Sequence, residues 1–178
     1  MTSENKPQES DKGGVRTGMT ALAWISVMVF VGFYFDDLLN RQNNPNQSPG
    51  TDYAEGNIRQ VALQRNKFGH YVTAGKVNGQ DVVFMLDTGA TGVAIPDHIA
   101  RRLNIERGSA FRVNTANGTT IAYQAQLNSV SVGDIKLSNV HGAITPAYKS
   151  DEILLGMSFL QYVEFTQRGD TLILKQVL

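Results

Sequence analysis

The chain of 178 residues contains no cysteine, and its 16 basic residues balance 16 acidic ones. The missing cysteine excludes disulfide bonds, thiolate nucleophiles and cysteine-ligated zinc sites. Because the net charge is zero, the chain as a whole has no electrostatic attraction to nucleic acid or other acidic polymers. We therefore expect no nucleic-acid partner.

Motifs for metals and phosphates are also missing. The three histidines, His70, His98 and His141, show no pair at metal-ligand spacing. The sequence has no Gly-rich phosphate loop, no Gly-x-Ser-x-Gly nucleophile elbow and no HExxH helix. We expect no metal and no cofactor.

The first long feature present is an uncharged run of 18 residues, "GMTALAWISVMVFVGFYF", at positions 18–35. As a helix it reaches about 27 Å, close to the hydrocarbon thickness of a bilayer. A cleaved signal peptide and a buried core helix are the alternatives. Bulky Phe33, Tyr34 and Phe35 stand where a cleavage site needs small residues, and no polar face recurs at helical spacing. The run therefore predicts a retained transmembrane anchor.

The charges beside this run indicate its orientation. Lys6, Lys12 and Arg16 precede it, while Asp36 and Asp37 follow it. The positive-inside rule then places residues 1–17, a polar and disordered tail, in the cytoplasm. We expect a single-pass protein of the inner (cytoplasmic) membrane, with a linker at 36–51 and a periplasmic or otherwise extracytoplasmic domain at 52–178.

The residues from 52 to 178 predict an all-β domain. Four dipeptides with turn chemistry, each between apolar stretches, indicate hairpins: Asn78-Gly79, Asn117-Gly118, Gly133-Asp134 and Gly169-Asp170. Only "PDHIARRLN" and "MSFLQYV" favour short helices.

Two segments interrupt the hairpins: "VVFMLDTGATGVAIP" and "DEILLGMSFLQYVEF". The order of "GHYV", "NGQDVVFMLDTGAT", "TANG" and "LLGMSFL" behind one hydrophobic run resembles the bacterial membrane-anchored, single-lobe retropepsin-like (clan AA) aspartic proteases. That resemblance implies a closed β-barrel forming one acid-protease lobe, with one or two short helices.

The resemblance implies that Asp87 is the catalytic residue. Asp, Thr and Gly are also ordinary turn residues, so the tripeptide alone is equally typical of a capped turn; its ordered surroundings favour catalysis. Aspartic proteases need two close carboxyl groups that share one proton, one acting as base and the other as acid. This chain has a single Asp-Thr-Gly. We therefore expect a homodimer with one Asp87 from each subunit.

The rest of the active loop takes its roles from the same resemblance. Thr88 would form hydrogen bonds across the dimer, and Gly89 would let the substrate backbone approach. Ala90 and Thr91 complete the loop. Ala90 replaces the hydroxyl residue usual in pepsins and cannot donate a hydrogen bond to the carboxylate, so we expect activity at a less acid pH than theirs.

Two further segments are expected to complete the site. The hairpin tip "NTANGTT" predicts a substrate-binding flap formed by Thr115, Ala116, Asn117, Gly118 and Thr119, although an ordinary surface hairpin has the same signals. The apolar strand residues Leu154 and Leu155, followed by Gly156, are expected to support the active loop from below.

The sequence thus predicts an aspartic endopeptidase acting on protein or peptide substrates. The alternative is a catalytically silent retropepsin-fold module that binds peptides or serves in assembly, because fold alone does not fix function.

Overall fold

The computed structural model describes residues 12–54, 57–115 and 118–177. The chain divides into two compact units, Met1–Leu39 and Asn40–Leu178.

Helix α1 occupies Lys12–Asn43 and so extends beyond the apolar run on both sides, into the expected tail and linker. It ends just before Asn44-Pro45, because a residue that precedes proline is driven out of the helical region. Within it, Gly18–Asn43 is long and apolar enough to cross a membrane, with a mean hydropathy of 1.8. A signal sequence near the N-terminus meets the same criteria of length and composition.

The second unit is built from short strands with two short helices. In chain order the elements are β1 Thr51–Ala54, β2 Ile58–Gln64, β3 Val72–Val77, β4 Gln80–Leu86, β5 Val93–Pro96, α2 Asp97–Arg102, β6 Ala110–Thr115, β7 Gly118–Val132, β8 Ile135–Thr145, β9 Ile153–Leu155, α3 Met157–Leu160, β10 Glu164–Arg168 and β11 Thr171–Val177. The predicted all-β class is confirmed, and both helices lie where the sequence placed them.

Seven strands form the larger sheet, in the order β3-β4-β9-β5-β8-β7-β6. The sheet closes on itself because Lys76 and Val77 of β3 pair with Ser131 and Val130 of β7. This closure pairs the β3 edge of the sheet, while β6 stays a terminal strand that pairs with β7 alone in the described residues.

The turn dipeptides form the hairpins that their chemistry predicts. Asn78 and Gly79 have φ angles of 51° and 80°, as the two-residue turn between β3 and β4 requires. Gly133 and Gly169, also at positive φ, begin the turns between β7 and β8 and between β10 and β11. The fourth hairpin joins β6 to β7, and its tip at residues 116–117 lies outside the described residues.

A second sheet, in the order β1-β2-β11-β10, packs into the same core as the barrel. Val61 and Leu63 of β2 and Leu174 of β11 are fully buried in one hydrophobic cluster that also includes Phe84 and Phe159. The turn dipeptides indicate no particular strand at β1 or β2. One extended core therefore supports both sheets.

The segment at 44–50, expected to be part of a linker, is attached to this core through Asn46. The Asn46 side-chain amide donates to the carbonyl oxygens of Gln64 (2.9 Å) and Val72 (2.7 Å), and its oxygen accepts from the Gln64 N–H (2.7 Å). The residue is only 7% exposed.

Candidate active site

Asp87 lies where two parallel strands end. β4 pairs with β9 in parallel, with Met85 opposite Leu154 and Leu86 opposite Leu155. Parallel strands bring their carboxyl ends to one edge of the sheet. The Asp87 loop and the Gly156 turn, which are 69 residues apart in sequence, therefore lie side by side.

Backbone hydrogen bonds fix the conformation of the Asp87 loop. The Asp87 N–H donates to the Leu155 carbonyl oxygen (3.2 Å), and the Asp87 carbonyl accepts from the Ala90 N–H (3.2 Å). The carboxylate Oδ1 of Asp87 accepts from the Gly89 N–H at 2.8 Å. The last bond is that of an Asx turn, so Asp87 both caps the turn and presents a partly buried carboxylate.

Helix α3 binds the loop from its other side. The Met157 N–H donates to the Ala90 carbonyl oxygen (2.8 Å) and the Ser158 N–H donates to that of Thr91 (3.0 Å). The first N–H groups of a helix have no partner within the helix. Here they hold the active loop instead.

Gly156 is required by close packing rather than by its backbone angles. A Cβ at this position would lie 2.3 Å from the Gly92 carbonyl oxygen and 2.5 Å from that of Ala90. Its φ of −95° is open to any residue. Only glycine lets β9 and α3 pass this close to the loop.

Ser158 joins three elements behind the loop. Its Oγ donates to the His141 carbonyl oxygen (2.7 Å) in β8 and accepts from the Val93 N–H (3.1 Å) in β5. Sequence reading placed Ser158 in a short helix but gave it no role.

The remaining loop residues divide into buried and exposed ones. Leu155 is fully buried beneath the loop, while Leu154 is partly buried. Thr88 and Gly89 are exposed, and within the described residues the Thr88 side chain has no hydrogen-bond partner. The outer surface of the loop is therefore available for contact.

The expected flap is an antiparallel ribbon of β6 and β7, which pair from Ala110 opposite Tyr123 to Thr115 opposite Gly118. Near the tip, Thr115 Oγ1 donates to the Gly118 carbonyl oxygen (2.8 Å) and Thr119 Oγ1 donates to Asn114 Oδ1 (2.9 Å). Ala116 and Asn117 lie outside the described residues.

Charged side chains form ion pairs at the base of this ribbon, and no sequence pattern predicts these contacts. Arg107 binds the carboxylate of Asp97 in α2, and its guanidinium lies 4.7 Å from the ring centre of Tyr123. Arg101 also pairs with Asp97, at 2.9 Å. The hydrogen bond from Arg107, followed by the charges of both arginines, lowers the pKa of Asp97 despite the opposing effect of burial. The cluster attaches the ribbon to α2.

The loop before β9 carries two more ionisable side chains with shifted pKa values, Tyr148 and Glu152, of which Tyr148 is affected by the charge of Asp87. Burial raises the pKa of Tyr148, and the charges of Glu152 and Asp87 raise it further, against a lowering by the Ser150 side chain. Burial also raises the pKa of Glu152, while His70 lowers it. The sequence offered no pattern that would have predicted this pair.

Across residues 12–54, 57–115 and 118–177, no group of three or more His, Asp or Glu side chains is arranged to hold a metal ion. The Asp87 carboxylate, held at the end of β4, is a group that can act in acid–base chemistry.

The fold is that of a single-lobe aspartic protease. Its marks are a closed barrel and an Asp-Thr-Gly loop held by an apolar strand, a glycine turn and a short helix. Among solved structures, a retropepsin-like aspartic protease from Rickettsia conorii superposes with a TM-score of 0.57 at 29% identity, covering 72% of this chain and 96% of that one. The profile of the gag-polyprotein putative aspartyl protease family matches residues 73–162. The chain belongs to this family and is retropepsin-like.

Two curated relatives have no described function. An uncharacterized protein encoded in the cobV 5′ region of Sinorhizobium sp is 34% identical over 121 residues, which cover 66% of this chain and 52% of the relative. An uncharacterized protein of Rickettsia prowazekii (strain Madrid E) is 31% identical over 107 residues, covering 58% and 46%. The chain thus spans about half the length of the curated relatives that it matches.

Proposed function

We propose that the protein is an aspartic endopeptidase that is active as a homodimer and is anchored in a membrane by α1. The observation that carries the proposal is the position of Asp87, whose loop is fixed by Leu155 and Gly156 while its outer face remains exposed. The fold and the family support the protease class.

In the proposed dimer the two Asp87 carboxyl groups meet at the two-fold axis and share one proton. The ionised carboxyl takes a proton from water as the water attacks the scissile carbonyl carbon. The protonated carboxyl donates its proton to the carbonyl oxygen, which becomes a hydroxyl of the tetrahedral intermediate. As the peptide bond breaks, the first carboxyl passes the proton taken from water to the leaving amine, and the second carboxyl recovers a proton from that hydroxyl. The exposed Thr88 hydroxyl is free to contact the other subunit's loop.

The β6–β7 ribbon is proposed as the flap, with Thr115, Gly118 and Thr119 offering polar groups to an extended peptide and residues 116–117 at its tip. Because Ala90 gives the carboxylate no hydroxyl donor, we expect a pH–rate maximum above about pH 4. A maximum well below that value would contradict this role of Ala90.

The test compares the full wild-type chain with Asp87→Asn on a peptide library, measuring cleavage and oligomer mass in the same preparation. Loss of the carboxyl should lower the cleavage rate by about 10²–10⁴-fold or more, while the oligomer mass remains unchanged. Equal cleavage by both proteins would remove the catalytic assignment. A folded wild-type dimer that binds peptides without cleaving them would favour the silent binding module.

Membrane anchoring rests on the length and composition of α1, and the orientation rests on the charges beside it. The cysteine-free chain allows a direct test with the single substitutions Ser10→Cys and Ser138→Cys. The reagent is a membrane-impermeant maleimide, applied to cells from which the outer membrane has been removed and whose inner membrane is intact. It should label the cysteine at position 138 directly. It should label the cysteine at position 10 only after the inner membrane is permeabilised. The reverse pattern would invert the orientation, and recovery of the protein in the soluble fraction would exclude a retained anchor.

A further inference from the structure

The loop between β2 and β3, residues 65–70, is held in one conformation by Asn66. The Oδ1 atom of Asn66 accepts from the N–H groups of Phe68 (3.0 Å) and His70 (2.9 Å). The Asn66 N–H donates to the His70 carbonyl oxygen (2.8 Å), and the Asn66 carbonyl oxygen accepts from the Gly69 N–H (3.0 Å). Gly69 has a φ of 87°, which glycine adopts readily. The position of Phe68 at the tip is therefore fixed by backbone hydrogen bonds.

The same loop binds the last turn of α1, residues 40–43, which belongs to the second compact unit. The Asn66 side-chain amide donates to the Asn43 carbonyl oxygen (2.9 Å), and the Lys67 N–H donates to that of Gln42 (3.5 Å). Lys67 Nζ also donates to Gln42 Oε1 (3.4 Å). The last carbonyl groups of a helix have no partner within the helix. The loop supplies donors to them.

The tip of the loop combines an aromatic ring with a cation. Phe68 is 66% exposed, and Lys67 Nζ lies 5.0 Å from the centre of its ring. Side chains of this kind suit a membrane–water interface, where the ring enters the headgroup layer and the ammonium group contacts phosphate.

The neighbouring turn between β10 and β11 adds to the positive charge. The Arg65 N–H donates to the Asp170 carbonyl oxygen (2.8 Å), which brings the loop and the turn side by side. Residues 65–70 and 168–171 contain Arg65, Lys67 and Arg168 against one acidic residue, Asp170. The Asp170 carboxylate is paired with Arg65 at 3.3 Å. The excess of positive charge complements the phosphate groups of anionic lipids.

The partner of this surface follows from its contacts with α1. Gln42 and Asn43 are the last two residues of Gly18–Asn43, the segment that is long and apolar enough to cross a membrane. The 26 residues of that segment reach about 39 Å as a helix, and a bilayer with its headgroups is about 40–45 Å thick. When this segment spans the membrane, the loop bound to its end lies at the headgroup layer.

We propose that residues 65–70, together with Arg168, form a surface that binds the lipid bilayer. The Phe68 ring lies among the lipid headgroups, and Lys67 and Arg168 contact lipid phosphates. The proposal rests on the proposed membrane anchor and adds a second contact between the protein and the bilayer.

A fluorescent label at position 68 tests the contact in the full-length chain. Phe68→Cys provides the single thiol for a polarity-sensitive nitrobenzoxadiazole label, and the protein is reconstituted in vesicles of phosphatidylethanolamine and phosphatidylglycerol. Lipid that carries a nitroxide on its headgroup should lower the emission about twofold.

Ser138→Cys is the control for the label. Ser138 pairs with Ser129, whose carbonyl oxygen accepts from the Asn78 N–H just beyond the end of β3. That end of β3 is about 17 Å from Val72, where the strand leaves the loop. The emission of a label at position 138 should be the same with and without the nitroxide lipid.

Charge substitutions test the contact with lipid phosphates. Quenching at position 68 should rise with the share of phosphatidylglycerol. In the Phe68→Cys chain, Lys67→Glu should remove most of that rise, because the glutamate repels anionic headgroups. Lys136→Glu, at an exposed lysine of β8, is the matched control and should leave it unchanged. Equal unfolding temperatures would show that the fold is intact in both variants.

The outcomes separate the lipid contact from the anchor and from the activity. A chain that stays with the vesicles but shows no quenching at position 68 overturns the lipid contact and leaves the anchor standing. Recovery of the chain in the soluble fraction overturns both. Quenching at position 68 that Lys67→Glu weakens supports the contact whether or not peptides are cleaved.

Two further results would contradict the proposal. Quenching that Lys67→Glu does not change would overturn the role of the cation. A label at position 68 that becomes shielded as the protein concentration rises, without quenching by nitroxide lipid, would identify a second copy of the chain as the partner and overturn the lipid surface.

Discussion

Gly156 lies so close to Gly92 that a Cβ on Gly156 would come within 2.3 Å of the Gly92 carbonyl oxygen. The atoms that would collide belong to the backbone, which has no flexible side-chain end to move away. The Asp87 loop and the β9–α3 turn therefore have to keep their present separation for both to stay in place.

Replacing Gly156 with alanine should displace the Asp87 loop. We expect the free energy of unfolding to fall by about 1–3 kcal/mol, as for other overpacked sites, and cleavage to fall further than stability explains. Thermal unfolding and peptide cleavage would be measured on the same sample. Gly50→Ala is the matched control, since its Cβ would meet no atom within 4 Å. Full activity of Gly156→Ala would contradict the close approach.

Replacing Ser158 with alanine removes one hydroxyl that serves two partners. The Val93 N–H would lose its acceptor and the His141 carbonyl its donor. An unsatisfied buried donor costs about 1–3 kcal/mol of stability, and denaturant unfolding would measure the loss. Ser138→Ala, at an exposed serine of β8, should change stability very little.

Asp97 should make stability depend on acid pH. Arg107 lowers the pKa of Asp97 in the folded state. The contribution of Asp97 to folding stability is therefore fully present above the pKa of the unfolded chain, and it is lost as the pH falls through the folded-state pKa. Asp97→Asn should therefore lower the unfolding temperature at neutral pH. The difference in unfolding temperature between wild type and variant should disappear as pH falls below the ordinary carboxyl pKa of 3.8. A gap that stays constant from neutral pH to pH ~2 would exclude this linkage.

Glu152 should show the opposite sign. Burial raises its folded-state pKa, so the protonated form is favoured in the folded chain and stability falls as pH rises through that pKa. Glu152→Gln removes the charge while keeping the shape. It should leave stability unchanged below pH ~4 and increase it at neutral pH. Glu106→Gln, the same substitution at an exposed glutamate, is the matched control. Lower stability of Glu152→Gln at neutral pH would contradict the effect of burial.

Features encoded over a few residues could be predicted from the sequence. Asn78-Gly79 favours positive φ wherever it occurs, and Pro96-Asp97 favours a helix start, so the turn and the helix followed directly. The Asp-Thr-Gly and Leu-Leu-Gly segments are equally local, and the structure brings Asp87 next to Leu155 and Gly156.

Features that depend on distant partners could not be predicted in this way. β2 shows only the alternation of Val61 and Leu63, and its strand is completed by β11, about a hundred residues later. The contacts among Asp97, Arg107 and Tyr123 likewise exist only after folding. The ends of α1 lie outside the apolar run for another reason: hydropathy indicates where a helix is apolar, whereas good helix formers such as Leu38, Leu39 and Gln42 extend it.

Strand β7 runs for 15 residues without interruption, pairing first with β6 and then with β8. The β6–β7 ribbon is therefore a direct extension of the barrel wall, because one strand belongs to both. The ribbon joins the barrel near Gln124, whose N–H donates to the Ser109 carbonyl oxygen and whose carbonyl oxygen accepts from the Gly108 N–H. If the ribbon acts as the proposed flap, movement of its outer end also has to bend the barrel wall.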